Sequence, residues 1–271
     1  MKITNIQELE KIAKEVRKSI IEEVYNANSG HPGGALSVAD ILTVLYFNQM
    51  NIDSENPNNV NRDRFILSKG HASAALYAVL AEKGYFPKED LKTFRKINSY
   101  LQGHPDMKHI PGVDMTTGSL GQGLSAANGM AIISKLDKKD IRVYCLVGDG
   151  EIEEGQIWEA AMTSSKYKLD NLCLIIDNNN LQIDGTVEKV MSPYPIDEKF
   201  KSFGFNVINI DGHNYEQIIE AFENAKNYKG KPSVIIANTI KGKGVSFMEN
   251  KVEWHGKAPK EEQYKQAMAE L

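Results

Sequence analysis

Arg142-Val143-Tyr144-Cys145-Leu146-Val147, followed at once by Gly148-Asp149-Gly150-Glu151, decides the class of fold. The apolar run is too short for a helix, and glycine ends it. It does not alternate apolar with polar residues, which is the mark of a strand covered on both faces. Runs 64–68, 171–177, 205–210 and 233–239 read the same way. Between these runs lie helical stretches at 72–84, 123–136, 154–167 and 214–228. Upstream, Ile6, Leu9, Ile12, Ala13, Val16, Ile20 and Val24 recur at helical spacing, so 6 to about 27 reads as one amphipathic helix. A second apolar helix is expected over 35–50, after the loop Ser29-Gly30-His31-Pro32-Gly33-Gly34. Buried strands alternating with helices predict an α/β fold, a doubly wound, mostly parallel sheet flanked by helices. No repeat, low-complexity tract or Pro/Ser-rich linker interrupts the chain. The expectation is a single domain over 1–271, with an irregular tail from about 240 and a last helix near 260–270.

Composition narrows the function. The 271 residues are 41% hydrophobic and 25% charged, and 32 Lys+Arg against 36 Asp+Glu give a net charge of −4. That leaves no basic excess for a nucleic-acid backbone. No apolar run approaches the ~20 residues of a membrane span. Cys145 and Cys173 both sit inside strand-like runs and read as reduced core thiols. The N-terminus lacks the apolar core of a signal peptide, so the expected location is the cytoplasm.

In an open parallel sheet, ligands bind beyond the carboxyl ends of the strands. Here those ends carry Ser68-Lys69-Gly70-His71, Gly148-Asp149-Gly150, Asp177-Asn178-Asn179-Asn180 and Asp211-Gly212-His213. Glycines at a strand-to-helix turn let backbone approach a diphosphate. Asp149, with the amide oxygen of Asn179, offers hard oxygen ligands for Mg²⁺. Taken alone, Gly-Asp-Gly is a tight turn and the asparagine run a loop; their pairing after two buried strands is what points to a site. Five of the six histidines, His31, His71, His104, His213 and His255, are flanked by glycine or proline. Histidines suit the hydrogen bonds and proton transfers that sugar hydroxyls and carbonyls require. His109 reads as structural. Thr116-Thr117-Gly118-Ser119-Leu120-Gly121-Gln122-Gly123 is by itself a helix start. Glu151, Glu153 and Glu154 read as acids favoured by a helix N-terminus, and nothing pairs them for glycoside hydrolysis. Lys241-Gly242-Lys243-Gly244 offers a phosphate contact, but two surface lysines are the simpler reading.

Taken together, the chain resembles the N-terminal, diphosphate-binding part of transketolase. The resemblance runs nearly its whole length through SGHPGGALS, RFILSKGHAS, QGHPD, TTGSLGQGLS, GDGEIEEGQIWEA, DNNNLQIDG, DGHN and IKGKG…WHGKAP, in family order. It implies the diphosphate-type domain of the thiamine diphosphate-binding fold, and half of a full-length enzyme. Asp149, Asn179 and the carbonyl of Leu181 would bind Mg²⁺, or Ca²⁺ or Mn²⁺ in its place. Gly150, Asn179, His71 and His255 would hold thiamine diphosphate, with Gly118, Ser119 and Leu120 against its aminopyrimidine. His31, His71, His104 and His255 would line the substrate channel, and Glu154 would communicate between two sites of a dimer. Ser119 departs from the proline that many members carry.

The implied reaction moves a two-carbon ketol unit from a ketose phosphate, such as xylulose 5-phosphate, to an aldose phosphate, such as ribose 5-phosphate. The glutamate that activates the cofactor belongs in this family to a pyrimidine-binding domain that no part of this chain resembles. The expectation is a chain inactive alone, paired with a C-terminal transketolase subunit, two copies of each, and part of the pentose phosphate pathway. The rivals are a specialised ketose-phosphate transketolase, a 2-oxo acid dehydrogenase α-type chain, and a catalytically silent binding module.

Overall fold

The computed structural model describes residues 2–271; Met1 lies outside it. In chain order the helices and strands are α1 (Ile6–Ala27), α2 (Pro32–Leu36), α3 (Ala39–Val44), β1 (Arg64–Leu67), α4 (Ser73–Lys83), α5 (Gly123–Leu136), β2 (Val143–Gly148), α6 (Gly155–Lys166), β3 (Leu172–Asn178), β4 (Leu181–Gln182), β5 (Gly185–Thr186), α7 (Val187–Met191), α8 (Ile196–Ser202), β6 (Asn206–Asp211), α9 (Tyr215–Asn227), β7 (Ser233–Asn238) and α10 (Glu261–Glu270). Five strands form one parallel sheet in the order β1-β2-β3-β7-β6.

Strand periodicity divides the core in two. Tyr144, Leu146, Cys173, Ile175 and Ile235 face the layer of α1, α3, α4 and α9. Cys145, Val147, Leu172, Leu174, Ile176 and Val234 face α5, α6 and α8. The two cysteines are therefore buried on opposite faces of adjacent strands, as free thiols. Helix ends follow local chemistry. The Asn5 side chain accepts from the Glu8 N–H at 3.2 Å, Asn214 accepts from Gln217 at 3.0 Å, and Asn28 closes α1 in the left-handed region at φ 47°.

Two expectations are corrected. The stretch 35–50 is not one helix: it begins at Pro32, breaks after Leu36, resumes at Ala39 and ends in a π-turn over Leu45–Gln49. Pro32 sits at the first helical position, where its fixed φ favours initiation. The Ser37 hydroxyl accounts for the break, since it turns back to the Gly34 carbonyl and inward to Asp177. Strand β6 is not buried on both faces. It is the sheet edge, with Asn209 and Asp211 exposed and Ile210 alone buried.

After β7 the chain returns over the α1 side, seating Val245, Met248 and Trp254 in the core before α10 packs on α1 through stacked Tyr25 and Tyr264. Among the described residues no helix is long and apolar enough to cross a membrane.

Candidate active site

A cavity of about 310 Å³ opens at the carboxyl ends of β1, β2 and β3. It gathers His31, His71, His104, Gly118, Leu120, Asp149, Gly150, Asn179, Leu181 and His255 from separate loops. Ser119 and Glu154 do not line it; both side chains are exposed, Glu154 at the start of α6 and against Gly121. His109 and His213 also lie outside, paired with Asp106 and Asp40 respectively.

The floor is organised by Asp177, the last buried residue of β3. Its carboxylate accepts from Ser37 at 2.7 Å, Lys69 at 2.6 Å, Asn179 at 2.8 Å and the Thr239 hydroxyl. Lys69 and these partners hold the acid below its ordinary range despite complete burial. Asn179 donates its amide N–H to Asp177, which leaves Oδ1 as the acceptor, near the Leu181 N–H at 3.2 Å. Asp149 is 2% exposed and accepts from the Gly150 and Asn180 N–H groups. Burial first, and then the neighbouring Asp177, push its carboxyl up to about 7. Charge here calls for a cation.

Lys241 supplies one positive charge and is a correction to the surface-lysine reading. It is 2% exposed, lines the cavity, and donates to the Leu181 carbonyl at 3.0 Å and His255 Nδ1 at 2.9 Å. Burial, reinforced by Lys69, pulls its ammonium down to about 8. The tail brings it there: Gly242 N–H bonds the Gly33 carbonyl at 3.0 Å, and a side chain at Gly242 would strike the Met248 backbone. Lys243 stays half-exposed, as expected for the second lysine.

The acids after β2 also differ from a solvated cluster. Glu151 is 3% exposed and accepts from the Ser68 hydroxyl, the Gly121 N–H at 2.9 Å and the Gly148 N–H at 3.1 Å. It ties the 116–123 loop to the ends of β1 and β2. Glu153 holds Gln182 at 2.7 Å.

Three imidazoles meet at the cavity wall. The ring centres of His31, His71 and His255 lie 5.1, 5.5 and 5.3 Å apart. Burial is the largest influence on each, with nearby lysine and arginine charges adding to it; His31 falls to about 4, His255 to about 3, and His71 further still. His104, packed on Gly118, is lowered by burial and Arg95. At neutral pH the wall is uncharged and hydrogen-bonding.

The family described as "Transketolase, thiamine diphosphate binding domain" matches residues 9–271. The chain belongs to the transketolase family. It is 48% identical to the 6-deoxy-6-sulfo-D-fructose transketolase subunit SqwG of Clostridium sp. (strain MSTE9), covering 97% of this chain and 96% of that protein. It is 44% identical to an apulose-4-phosphate transketolase subunit of Phocaeicola vulgatus, covering 98% and 94%. Human transketolase is 46% identical over 93% of this chain, but only 40% of the human protein is covered. Campylobacter jejuni transketolase superposes with a TM-score of 0.93 at 41% identity, over 98% of this chain and 43% of that one. The chain thus spans well under half of these two full-length transketolases and nearly all of the two subunits.

In this transketolase domain, Lys69, Asp177, Glu151 and Lys241 carry the site's framework, although motif reading gave no site role to the first three and ranked the phosphate contact of Lys241 below a surface position. Lys69 was visible only as an ordinary lysine within a glycine motif. The signal for Asp177 and Glu151 was a charged residue at the end of an apolar strand.

Proposed function

We propose that this chain is the N-terminal subunit of a split transketolase, working only with a subunit that carries the pyrimidine-binding domain. The observation that carries the reading is the junction, in one cavity, of a buried floor of lysines and oxygen donors with a wall of uncharged histidines. Thiamine diphosphate, when bound, supplies the carbon nucleophile and electron sink for breaking and making a C–C bond beside a carbonyl. Lys69 and Lys241 fit its diphosphate as buried cations. Asp149, Asn179 Oδ1 and the Leu181 carbonyl fit Mg²⁺, or Ca²⁺ or Mn²⁺, which keeps few protein ligands and takes phosphate oxygens for the rest. Among the described residues no three His, Cys, Asp or Glu cluster for a metal; one carboxylate with an amide and a carbonyl oxygen falls outside such clusters and matches a phosphate-bridged ion. Gly150 and the Gly118–Leu120 turn bring backbone close to the cofactor. His31, His71, His104 and His255 orient sugar oxygens and exclude bulk water, and Glu154, exposed beside the site, is positioned for contact with a second copy.

Residues 1–271 are read as one functional unit of a cytoplasmic enzyme with two copies of each subunit. The two full-length subunit matches favour a second reading of substrate. Their names give 6-deoxy-6-sulfo-D-fructose and apulose 4-phosphate, so a specialised ketose rather than xylulose 5-phosphate with ribose 5-phosphate is the alternative. A dehydrogenase α-type chain is less well supported, because the histidine wall suits polyols.

The test is recovery of the tagged chain from its source cells, followed by native mass spectrometry and a two-substrate ketose-plus-aldose phosphate assay. A stoichiometric partner with activity in the complex, and none in the chain alone, is expected. Turnover by the rigorously purified chain alone would refute the split assignment. A partnered complex inert toward xylulose 5-phosphate but active on 6-deoxy-6-sulfo-D-fructose or apulose 4-phosphate would select the second reading. Absence of any thiamine diphosphate-dependent rise in Tm would indicate a silent module.

A further inference from the structure

Arg95 lies outside the glycine and histidine motifs, yet three features converge on it. Its backbone occupies the left-handed region at φ 59°, uncommon for a side chain of this size. Its guanidinium lies against the bare Cα of Gly103, where an added Cβ would sit 3.0 Å from Cζ, Nε and Nη2. On its other side is the ring of Phe94, with Cζ 5.4 Å from the ring centre. So held, Nη1 donates to the Ser29 hydroxyl at 2.9 Å and Nη2 reaches His31 Nδ1 at 3.3 Å.

A guanidinium has donors only. A ring nitrogen that meets it must be the acceptor, so the proton of a neutral His31 is carried by Nε2. Among the described residues Nε2 makes no hydrogen bond to the protein, while the ring lines the cavity. We propose that Arg95 is a positioning residue that locks His31 as the Nε2–H tautomer, so that His31 presents a fixed hydrogen-bond donor to the cavity and cannot act there as a base. The nearby Arg95 charge also disfavours imidazolium at both His31 and His104. The neighbouring imidazole repeats the device: His255, whose ring meets that of His31 edge-on at 5.5 Å, has its Nδ1 against the Lys241 ammonium, again a pure donor. Two donors then face one space, suited to carbonyl or hydroxyl oxygens of a bound sugar. That last consequence rests on the transketolase reading; the tautomer does not.

The experiment is a long-range ¹H–¹⁵N spectrum of the full chain with ¹⁵N-labelled histidine, His31 being assigned from the signals missing in His31→Gln. The expected wild-type pattern is protonated Nε2 and bare Nδ1 from pH 6 to 8. Arg95→Leu should turn this into a mixture with Nδ1–H populated, and Arg95→Lys, which restores a donor, should return it. Gly103→Ala, which pushes the guanidinium aside, should also give the mixture and serves if Arg95→Leu does not fold. A wild-type Nδ1–H tautomer, or a folded Arg95→Leu or Gly103→Ala protein with the wild-type pattern, overturns the proposal. In the complex with the partner subunit, Arg95→Leu should raise KM for xylulose 5-phosphate about tenfold, the scale of one lost hydrogen bond. Affinity for thiamine diphosphate should stay unchanged. A complex with no ketol transfer to any aldose phosphate overturns the function and leaves the tautomer standing.

Discussion

Asp177 and Lys69 form the pair on which the site depends. Both are buried, at 0% and 3% exposure. Asp177→Asn removes the charge that compensates Lys69 and weakens three further hydrogen bonds. Breaking one side of a buried pair costs about 3–5 kcal/mol, so the urea midpoint of Asp177→Asn should fall by a corresponding amount; a shift below a quarter of that would mean the pair is solvated. In the proposed site, Lys241 serves the cofactor more than the fold. Lys241→Met should weaken thiamine diphosphate binding, measured calorimetrically with Mg²⁺ present, about 10- to 100-fold, the range for one hydrogen bond to a charged group. Unchanged affinity would remove Lys241 from the diphosphate site. His71 gives a pH signature. Burial, with Lys69 beside it, keeps the folded pKa far below the unfolded value near 6.5. As pH falls below about 6.5 the unfolded chain takes up a proton that the folded chain refuses, so stability is lost toward acid. His71→Gln removes that proton and should make the fall in Tm between pH 7 and 5 shallower; identical slopes would show that His71 titrates normally.

The elements explain why glycines recur around the cavity. Gly123 opens α5 directly against Ser68, and an added Cβ would lie 2.4 Å from its hydroxyl oxygen, the same hydroxyl that donates to Glu151. Gly123→Ala should therefore displace the 116–123 loop and abolish most of the cofactor-induced rise in Tm, with far-UV dichroism unchanged; a full cofactor response would show that loop and strand move independently. By contrast, Asn5→Ala removes a cap distant from the cavity, should cost about 1 kcal/mol, and should leave the cofactor response intact. Strands and helices were legible because burial and periodicity are local. The expected 123–136, 154–167 and 214–228 helices match α5, α6 and α9 to within a residue at each end. The two departures came from tertiary context. An edge position decided the exposure of β6, and the inward turn of Ser37 decided where the 35–50 stretch breaks.

Across the whole molecule, what matters is convergence. Residues 31, 71, 104, 149, 179, 241 and 255 come from loops separated by as much as most of the chain, and the parallel sheet brings them together because every strand ends on the same edge. The tail after β7 completes the cavity by laying Trp254 in the core and turning His255 and Lys241 inward. The long α5 face ends in exposed Ile133 and Leu136, with Met162 exposed on neighbouring α6.

The sequence by itself determined the α/β class, the parallel sheet, the polar edge and the order of the motifs, since strand burial, helix periodicity and glycine-bounded turns are written in neighbouring residues. Only the tertiary structure decided that Lys241 is a buried cation rather than a surface one, that Glu151 is a brace rather than a helix-end charge, that Asp177 anchors four side chains, and that Arg95 faces His31. The physical reason is one and the same: a charged side chain's role depends on which partner neutralises or orients it, and most of those partners lie 30 to 140 positions away along the chain.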